Sequence, residues 1–503
     1  MERIVIVEAV STGYNYVIDC LERGYEPVVL ETLELSPEME AEMASDRKMC
    51  YAMFPLKVRT LHEERDYEKT LAEIRALKPI LVVAGSENGV VLAMRLSSDL
   101  GLPGNPYENH LKLVSKKRMQ EALKEYGIRC IRGREVSTEE EALAWYREIG
   151  TEDVVVKPIR GAGSENVYLC HGSDQMLNAF RESLGKGNSF ASGGTSVLIQ
   201  ERIFGTEYVV NTLSCKGKHR LASMWRYEKK RISEGNNAYV GAISVKRLTS
   251  EQEQLVRYAY QVLEALQVQY GPVHGEYMID KNGPVLIEVN CRVMGANMPG
   301  KFIQLIFGHH ETDAALDSYL NPHKFEMDRL KPYRPARVGI IKFFYSTEAY
   351  ALRSSPIVML LPHLKSYFSG RVKNAGMNEE VNKTTNLENK IGTAYLVHND
   401  ESIVMWDYEK LCRMESEYFH LLYESASERE ANKEDESDVE DYVASVMREC
   451  EKLRLGETVT VTAKECERYP YGLRGRAMLF ELGGLTLEAP QGGETDVLRA
   501  TKE

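Results

Sequence analysis

Nowhere do about 18 apolar residues run together, so no membrane-spanning helix is expected. The nine cysteines are dispersed, with no C-x-x-C pair and no zinc-like spacing. Such a set reads as reduced, mostly buried thiols, and the expected compartment is the cytoplasm. The beginning, Met1-Glu2-Arg3-Ile4-Val5-Ile6-Val7-Glu8, has neither the basic head nor the longer apolar stretch of a secretion signal and reads as a short buried strand. Cationic charge is in deficit: 63 Lys and Arg stand against 75 Asp and Glu, a net −12. That balance argues against nucleic acid as the main partner, though a local basic patch would serve for nucleotide phosphates. The turn after the first strand, Val10-Ser11-Thr12-Gly13, carries one glycine and no G-x-G-x-x-G, which disfavours a nicotinamide dinucleotide. There is no convincing Ser-His-Asp or Cys-His set and no internal repeat. His309-His310 has no supporting Cys or carboxylate pattern and reads as structural.

What is present is the composition of a soluble globular protein, 43% hydrophobic and 27% charged. A chain of 503 residues has length for several domains. The first hundred or so alternate strand and helix: Ile4–Val7, Tyr14–Arg23, Pro27–Leu30, Tyr67–Leu77, Ile80–Ala84, an open parallel α/β unit. Gly85-Ser86-Glu87-Asn88-Gly89-Val90 opens a helix at its carboxyl edge, either lining a ligand crevice or simply turning the chain. An amphipathic helix over Ser115–Tyr126 carries Lys116 and Lys117, and strands follow at Val154–Val156 and Val197–Gln200. Further strands are expected at Val338–Phe344, Thr393–Val397, Thr458–Thr462 and Ala477–Leu482, with a helix over Val443–Leu453. Glu428 to Asp441 is dominated by Glu, Asp and Lys, with no large apolar residue except Val439, a solvated linker or the start of an exposed helix.

The most informative segment is His274-Gly275-Glu276-Tyr277-Met278-Ile279-Asp280, then Lys281-Asn282-Gly283, then Pro284-Val285-Leu286-Ile287-Glu288-Val289-Asn290-Cys291-Arg292. Apolar and β-branched residues around Asn-Gly mark a β-hairpin. A three-residue loop, Lys281 to Gly283 with Gly283 left-handed, sets Asp280 against Pro284 and so Glu276 against Glu288. Like charges directly opposite are destabilising and need a cation; two carboxylates beside substrate phosphates suit Mg²⁺. Alternation adds Asn290 and Arg292 to the face of Glu288, and His274 to that of Glu276.

Val154-Val155-Val156-Lys157-Pro158-Ile159-Arg160-Gly161-Ala162-Gly163-Ser164 is a buried strand ending in lysine, then a glycine loop. Its amides can cradle phosphate oxygens, or the loop is a plain hairpin; no G-K-[ST] follows, so it is not a Walker A loop. In Leu198-Ile199-Gln200-Glu201-Arg202-Ile203-Phe204-Gly205-Thr206-Glu207, the strand end can offer main-chain groups to an adenine edge, and Glu207 can accept from ribose hydroxyls. Out of context both glutamates would face solvent.

The ordered series Lys117, Lys157 with its glycine loop, Gln200-Glu201, Gly205-x-Glu207, Glu276, Glu288, Asn290 and Arg292 resembles the ATP-grasp superfamily over about residues 1 to 300. Each motif alone is loose, and their order is specific. Within the superfamily the chain resembles carboxylate–amine ligases of the L-amino-acid (dipeptide) ligase type. Supporting segments are Gly85-Ser86-Glu87-Asn88-Gly89-Val90, Gly101-Leu102-Pro103-Gly104-Asn105 and Trp225-Arg226-Tyr227 leading to Lys229-Lys230-Arg231. No biotin-attachment signal is present, and the segment after about 426 has no match in that pattern.

The resemblance implies an α/β (α+β in the nucleotide-binding part) ATP-grasp fold: a pre-grasp domain over 1–112, a lid subdomain over 113–196, and a large subdomain over 197–330. An α/β portion over 331–425 and an extension over 426–503 complete it. It implies an ATP-dependent ligase that forms an amide through an acyl phosphate, with small carboxylate and amine substrates, no nucleic-acid or membrane partner, and a homodimer as a common assembly. The cofactors implied are ATP and Mg²⁺, with Mn²⁺ as an alternative. Lys117 and Lys157 would neutralise phosphates, helped by Gly161, Gly163, Ser164 and Lys230, while Gln200, Glu201 and Ile203 would meet adenine and Glu207 ribose. Glu276, Glu288 and Asn290 would hold the metal, and Arg292, Lys157 and Glu288 would serve the transfer. His274, Gly295, Asn297, Arg231 and Glu87 are candidate substrate contacts; His274 either shapes the amine site or bonds within the hairpin, and Lys230 and Arg231 either bind phosphate or carboxylate or lie on a solvated strand. The amides of Gly295-Ala296-Asn297-Met298 could receive a substrate carboxylate. A ligase acting on a peptide or larger acid, and a nucleotide-binding scaffold without catalysis, are the competing readings.

Overall fold

In a computed structural model the described residues are 1–33, 43–44, 47–48, 58–159, 167–184, 196–233, 236–354, 357–372, 379–384, 389–417, 424–425, 445–466, 472–488 and 497–502. They divide into two units: Met1–Asn237 with Ala242–Arg337, and Ala238–Gly241 with Val338–Glu503.

The first unit begins with a parallel sheet in the order β3-β2-β1-β4, formed by β1 (Arg3–Val7), β2 (Glu26–Glu31), β3 (Arg59–His62) and β4 (Leu81–Ala84). β1, β2 and β4 carry apolar runs and are largely buried, with Ile4, Val5, Ile6 and Val7 fully so, whereas the edge strand β3, Arg59-Thr60-Leu61-His62, is mostly exposed. The helix Tyr67–Leu77 takes its start from Asp66, whose side chain accepts from the Glu68 amide.

Four antiparallel strands make the second sheet, β5 (Gly133–Val136), β6 (Asp153–Lys157), β7 (Tyr168–His171) and β8 (Val197–Glu201), in the order β5-β8-β6-β7. Val154, Val156 and Ile199 pack with Trp145 and Phe180 from two helices, and the Trp145 indole donates to the Ile199 carbonyl at 3.0 Å. The boundary expected at 196/197 therefore cuts through this sheet: β8 is one of its inner strands, hydrogen-bonded to β5 and β6.

The third sheet carries the hairpin. β9 (Thr206–Cys215) pairs antiparallel with β10 (Lys218–Ser233), which β11 (Asn236–Ser244) follows; on its other side β9 pairs with β12 (Gly271–Asp280), and β12 with β13 (Gly283–Asn290). The helix Ser250–Ala265, opened by a Thr249–Gln252 capping box, presses Leu255, Val262 and Leu263 into a core with Val273, Tyr277, Leu286 and Val289. The junction of the second and third sheets runs through Gly205. A Cβ there would lie 2.1 Å from the Ile279 carbonyl oxygen, so only glycine lets the chain cross β12 at that distance.

In the second unit β14 (Val338–Phe344), β18 (Gly392–His398) and β16 (Tyr367–Val372) run antiparallel in the order β14-β18-β16, while β15 (Tyr350–Ser354) pairs with β17 (Glu379–Val381). Lys342, fully buried on β14, is neutralised by Glu415 at 2.5 Å. Thr458–Thr462 pairs with Val497–Lys502. The expected strand at Ala477–Leu482 is instead part of a helix, Gly472–Leu482. Ala, Met, Leu and Glu favour helix, no residue of that run is β-branched, and a six-residue apolar run has no period to separate the two. Residues 445–452 are helical as expected, whereas the acidic run 428–441 lies outside the described residues. No described helix is long and apolar enough to cross a membrane.

Candidate active site

The hairpin sets Glu276 opposite Glu288, by a different route from the expected one. Gly283 has φ +98°, but it pairs with Asp280, so the strands begin one residue out of the expected register. Tyr277 then faces Leu286 and Glu276 faces Glu288, leaving Ile287 as a bulge that restores the acid pairing. His274 pairs with Asn290 next along the ladder. Its Nε2 lies 3.3 Å from Glu276 Oε1, and Asn290 Nδ2 donates to Glu288 Oε1 at 3.5 Å. These four side chains share one face.

The cation that meets the acids is Lys116. Its Nζ is 2.7 Å from Glu288 Oε2, and each side chain is 12% exposed. Ser115 caps the helix Lys116–Glu125, whose buried positions are Met119, Gln120, Ala122 and Leu123, and this phase turns Lys116 inward. Lys117, expected at the phosphates, is one residue further round. It pairs with Glu135 at 2.8 Å and Glu121 at 3.8 Å, away from the hairpin.

Lys157 ends β6 buried, as expected, and has Lys116, Glu288 and Glu276 as its electrostatic neighbours. Burial, then the Lys116 charge, lowers its pKa to about 8 against the pull of the two acids. Burial also weighs against Lys116, but Glu288, Glu87 and Glu276 outweigh it and raise its pKa. Burial pushes both glutamates up. In Glu288 the Lys116 ion pair prevails and the pKa falls; in Glu276 burial and the Glu288 charge prevail and the pKa rises to about 7. His274 is held neutral, its pKa lowered to about 3 by burial and then by Arg292.

Arg292 donates to Glu87 Oε2 at 2.9 Å and to the Val293 carbonyl at 3.1 Å, tying the end of the hairpin to the turn after β4. Glu207, buried on β9, meets Lys229 of β10 at 2.5 Å. Lys230 is exposed, and Tyr227 is buried among the fields of Glu276, Glu207 and Glu288. Gln200 is buried, while the Glu201 carboxylate is held by Arg132 through the backbone amide and the guanidinium, each at 2.9 Å. The Glu201 and Arg202 amides donate to the Arg132 and Asp153 carbonyls, so half-buried Ile203 is the first residue past these bonds.

The amides expected to receive a carboxylate at 295–298 are engaged in part. Asn297 N donates to Ser11 Oγ at 3.1 Å and Met298 N to Thr12 Oγ1 at 3.0 Å, while the Thr12 hydroxyl donates to the Gly295 carbonyl. Ala296 and Asn297 both adopt positive φ to make this junction. Gly161, Gly163 and Ser164 lie outside the described residues, and so does the side chain of Arg231. His310 Nε2 sits 2.7 Å from Asp19, and together with Asp313 their ligand atoms lie within 4.8 Å of one another, so carboxylates that the sequence did not place beside it do stand there.

Sequence reasoning also passed over Asn211, Ser223 and Glu311. Asn211 stands 2.9 Å from His274 Nδ1 and bonds Glu311 at 2.8 Å, and all three are buried. The signal available was polar residues inside otherwise apolar strands: Asn211 interrupts Val209-Val210 and Leu213.

A four-stranded sheet and a hairpin-bearing sheet thus go with buried lysines beside a facing acid pair, a charge arrangement suited to a phosphate-bearing ligand. Residues 114–297 match the family described as phosphoribosylglycinamide synthetase, ATP-grasp (A) domain. Dapdiamide A synthase of Enterobacter agglomerans is 30% identical over 325 residues, 64% of this chain and 74% of that protein. The L-arginine-specific L-amino acid ligase of Bacillus subtilis is 24% identical over 219 residues, 43% of this chain and 52% of that protein. Among solved structures, an L-amino acid ligase from Bacillus licheniformis has the same fold, with TM-score 0.63 and 16% identity over 82% of this chain and 97% of that one. The chain belongs to the ATP-grasp family of ATP-dependent ligases that form C–N bonds. The fold and ligase class implied by the motif series are borne out, and neither competing reading is favoured.

Proposed function

We propose that this ligase joins the carboxylate of an amino acid, or another small acid, to the amine of a second small molecule through an acyl phosphate, with release of ADP and phosphate. The observation that carries the reading is Glu276 opposite Glu288, with Lys116 on Glu288 and Lys157 and Arg292 in the same electrostatic group.

A carboxylate attacking a triphosphate sets anion against anion, so fixed cations must offset the repulsion as charge spreads in the transition state. Lys116 and Lys157 would supply it. Lys157, with its pKa lowered to about 8, regains full charge beside a phosphate. Two buried acids facing each other, with the Asn290 amide alongside, fit a small oxygen-seeking cation. Glu276, Glu288 and Asn290 would hold Mg²⁺, or Mn²⁺ in its place; when bound it supplies positive charge to the phosphates. Arg292 would orient the attacking carboxylate, and its bond to Glu87 would fix the position of the guanidinium fork. Glu207 would accept from ribose, exchanging its Lys229 bond, and Ile203 with Gln200 and Glu201 would border adenine. The glycine loop at 161–163 would cover the phosphates and exclude water, which would otherwise hydrolyse the acyl phosphate. Free thiols at all eight described cysteines accord with a reducing cytoplasm.

The test is an ADP-release screen over amino acids singly and in pairs, with product masses read afterwards. ADP release that needs a particular pair, with a product one water lighter than the pair, is the expected result. ADP release only with peptide or protein acceptors, or none with any pair, would overturn the reading.

A further inference from the structure

The hydrogen bonds behind the hairpin run in one direction only. The Trp225 indole nitrogen can only donate, so Ser223 Oγ accepts from it at 3.2 Å. The Ser223 proton then goes to Glu311 Oε1 at 2.7 Å. Asn211 faces the same Ser223 oxygen at 2.9 Å and the same carboxylate oxygen at 2.8 Å. Only its NH₂ group satisfies both, so its carbonyl oxygen points the other way, to His274 Nδ1 at 2.9 Å. Met294 N closes the far side of Glu311 at 3.3 Å. An amide oxygen only accepts, so His274 Nδ1 carries a proton and the ring is held with Nε2 turned to Glu276 Oε1, 3.3 Å away.

In the metal-free protein one proton shared by the two atoms makes this a hydrogen bond, and a divalent cation held at Glu276 would take that proton's place. The separation is that of two adjacent ligands on one small cation. We propose that His274, its tautomer locked by Asn211, Ser223 and Glu311, is a nitrogen ligand of the divalent cation alongside Glu276. The proposal rests on the reading of Glu276 and Glu288 as the metal site. Asn211 and Glu311 are then positioning residues that act through the ring, the arrangement by which a second group fixes the orientation and basicity of a metal-bound histidine. Nitrogen ligation favours Mn²⁺ relative to Mg²⁺.

The test uses the full chain with Mn²⁺ and a non-hydrolysable ATP analogue, read by electron spin-echo envelope modulation. A directly bound imidazole nitrogen modulates the Mn²⁺ echo. The expected result is a nitrogen coupling in the native protein that is lost in His274→Gln and altered in Asn211→Leu. Mn²⁺ affinity should fall about ten-fold in each variant, with a smaller change for Mg²⁺. Circular dichroism of each variant separates loss of the ligand from loss of the fold. Tight Mn²⁺ binding with no nitrogen coupling, or a coupling unchanged in a folded His274→Gln, overturns the proposal and leaves the two-carboxylate site standing. Failure of Mn²⁺ to bind the native protein in the presence of the analogue overturns the metal site itself.

Discussion

Replacing Lys116 and Lys117 separately by methionine distinguishes two adjacent residues of the same charge. Lys116 stands 2.7 Å from Glu288 with both side chains 12% exposed. At an effective dielectric of about 20 that separation is about 6 kcal/mol of gross attraction. Desolvation consumes much of it, but removing Lys116 leaves Glu288 buried beside Glu276 with Lys157 to offset it only in part, against a cost of about 3–5 kcal/mol for a fully unpaired buried charge. Lys117 meets Glu135 with both side chains about one-third exposed, where an ion pair contributes about 0.2–1 kcal/mol. Urea denaturation of the metal-free protein should therefore show a loss of several kcal/mol for Lys116→Met and under about 1 kcal/mol for Lys117→Met. A lost charge-assisted contact to phosphate adds about 1.5–3 kcal/mol, so kcat/KM for ATP should fall about ten- to 150-fold in Lys116→Met. Lys117→Met should stay within about five-fold of native. A Lys117 variant without turnover beside a Lys116 variant near native activity would refute the assignment.

Further outcomes follow from the same geometry. The folded pKa of Glu276 is raised to about 7 from 4.5, so the folded chain binds more protons than the unfolded one between those values; metal-free stability should fall as pH rises through that window, and the fall should vanish in Glu276→Gln. Lys157 is lowered from 10.5 to about 8, so stability should rise between about pH 8 and 10.5 in the native protein and not in Lys157→Met, read by urea denaturation at fixed salt. Gly205→Ala drives a methyl into the Ile279 carbonyl and should lower stability by about 1–3 kcal/mol, with a raised KM for ATP; an unshifted thermal midpoint would show that the crossing has room. Arg292→Ala should abolish ADP formation while circular dichroism stays native, and retained turnover would remove Arg292 from the reaction.

The facing of the two acids on the hairpin was more legible than their surroundings. Glu276 and Glu288 were paired from a loop count that was one residue off, and the Ile287 bulge cancelled the error; a bulge at an isoleucine leaves no mark in a run of apolar residues. Lys116 and Lys117 are indistinguishable by type, and the cue was phase: Lys116 lies three and four positions before buried Met119 and Gln120. The strand ending in Gln200-Glu201 was located, but the expected boundary at 196/197 separates it from β5 and β6, with which it pairs, since an apolar run does not declare its hydrogen-bond partners. The Asn297 and Met298 amides were beyond reach because their acceptors, Ser11 and Thr12, lie 286 residues away in sequence.

Lys116 has a consequence for how the site fills. With no nucleotide present its ammonium occupies the electrostatic place a divalent ion would take at Glu288. On the proposed reading a lone metal ion would compete with that ammonium for Glu288, with Glu87 and Glu276 as the other acids acting on it. Metal that arrives with a triphosphate brings the new acceptor along. On that reading ion and nucleotide would be thermodynamically coupled, each tightening the grip on the other.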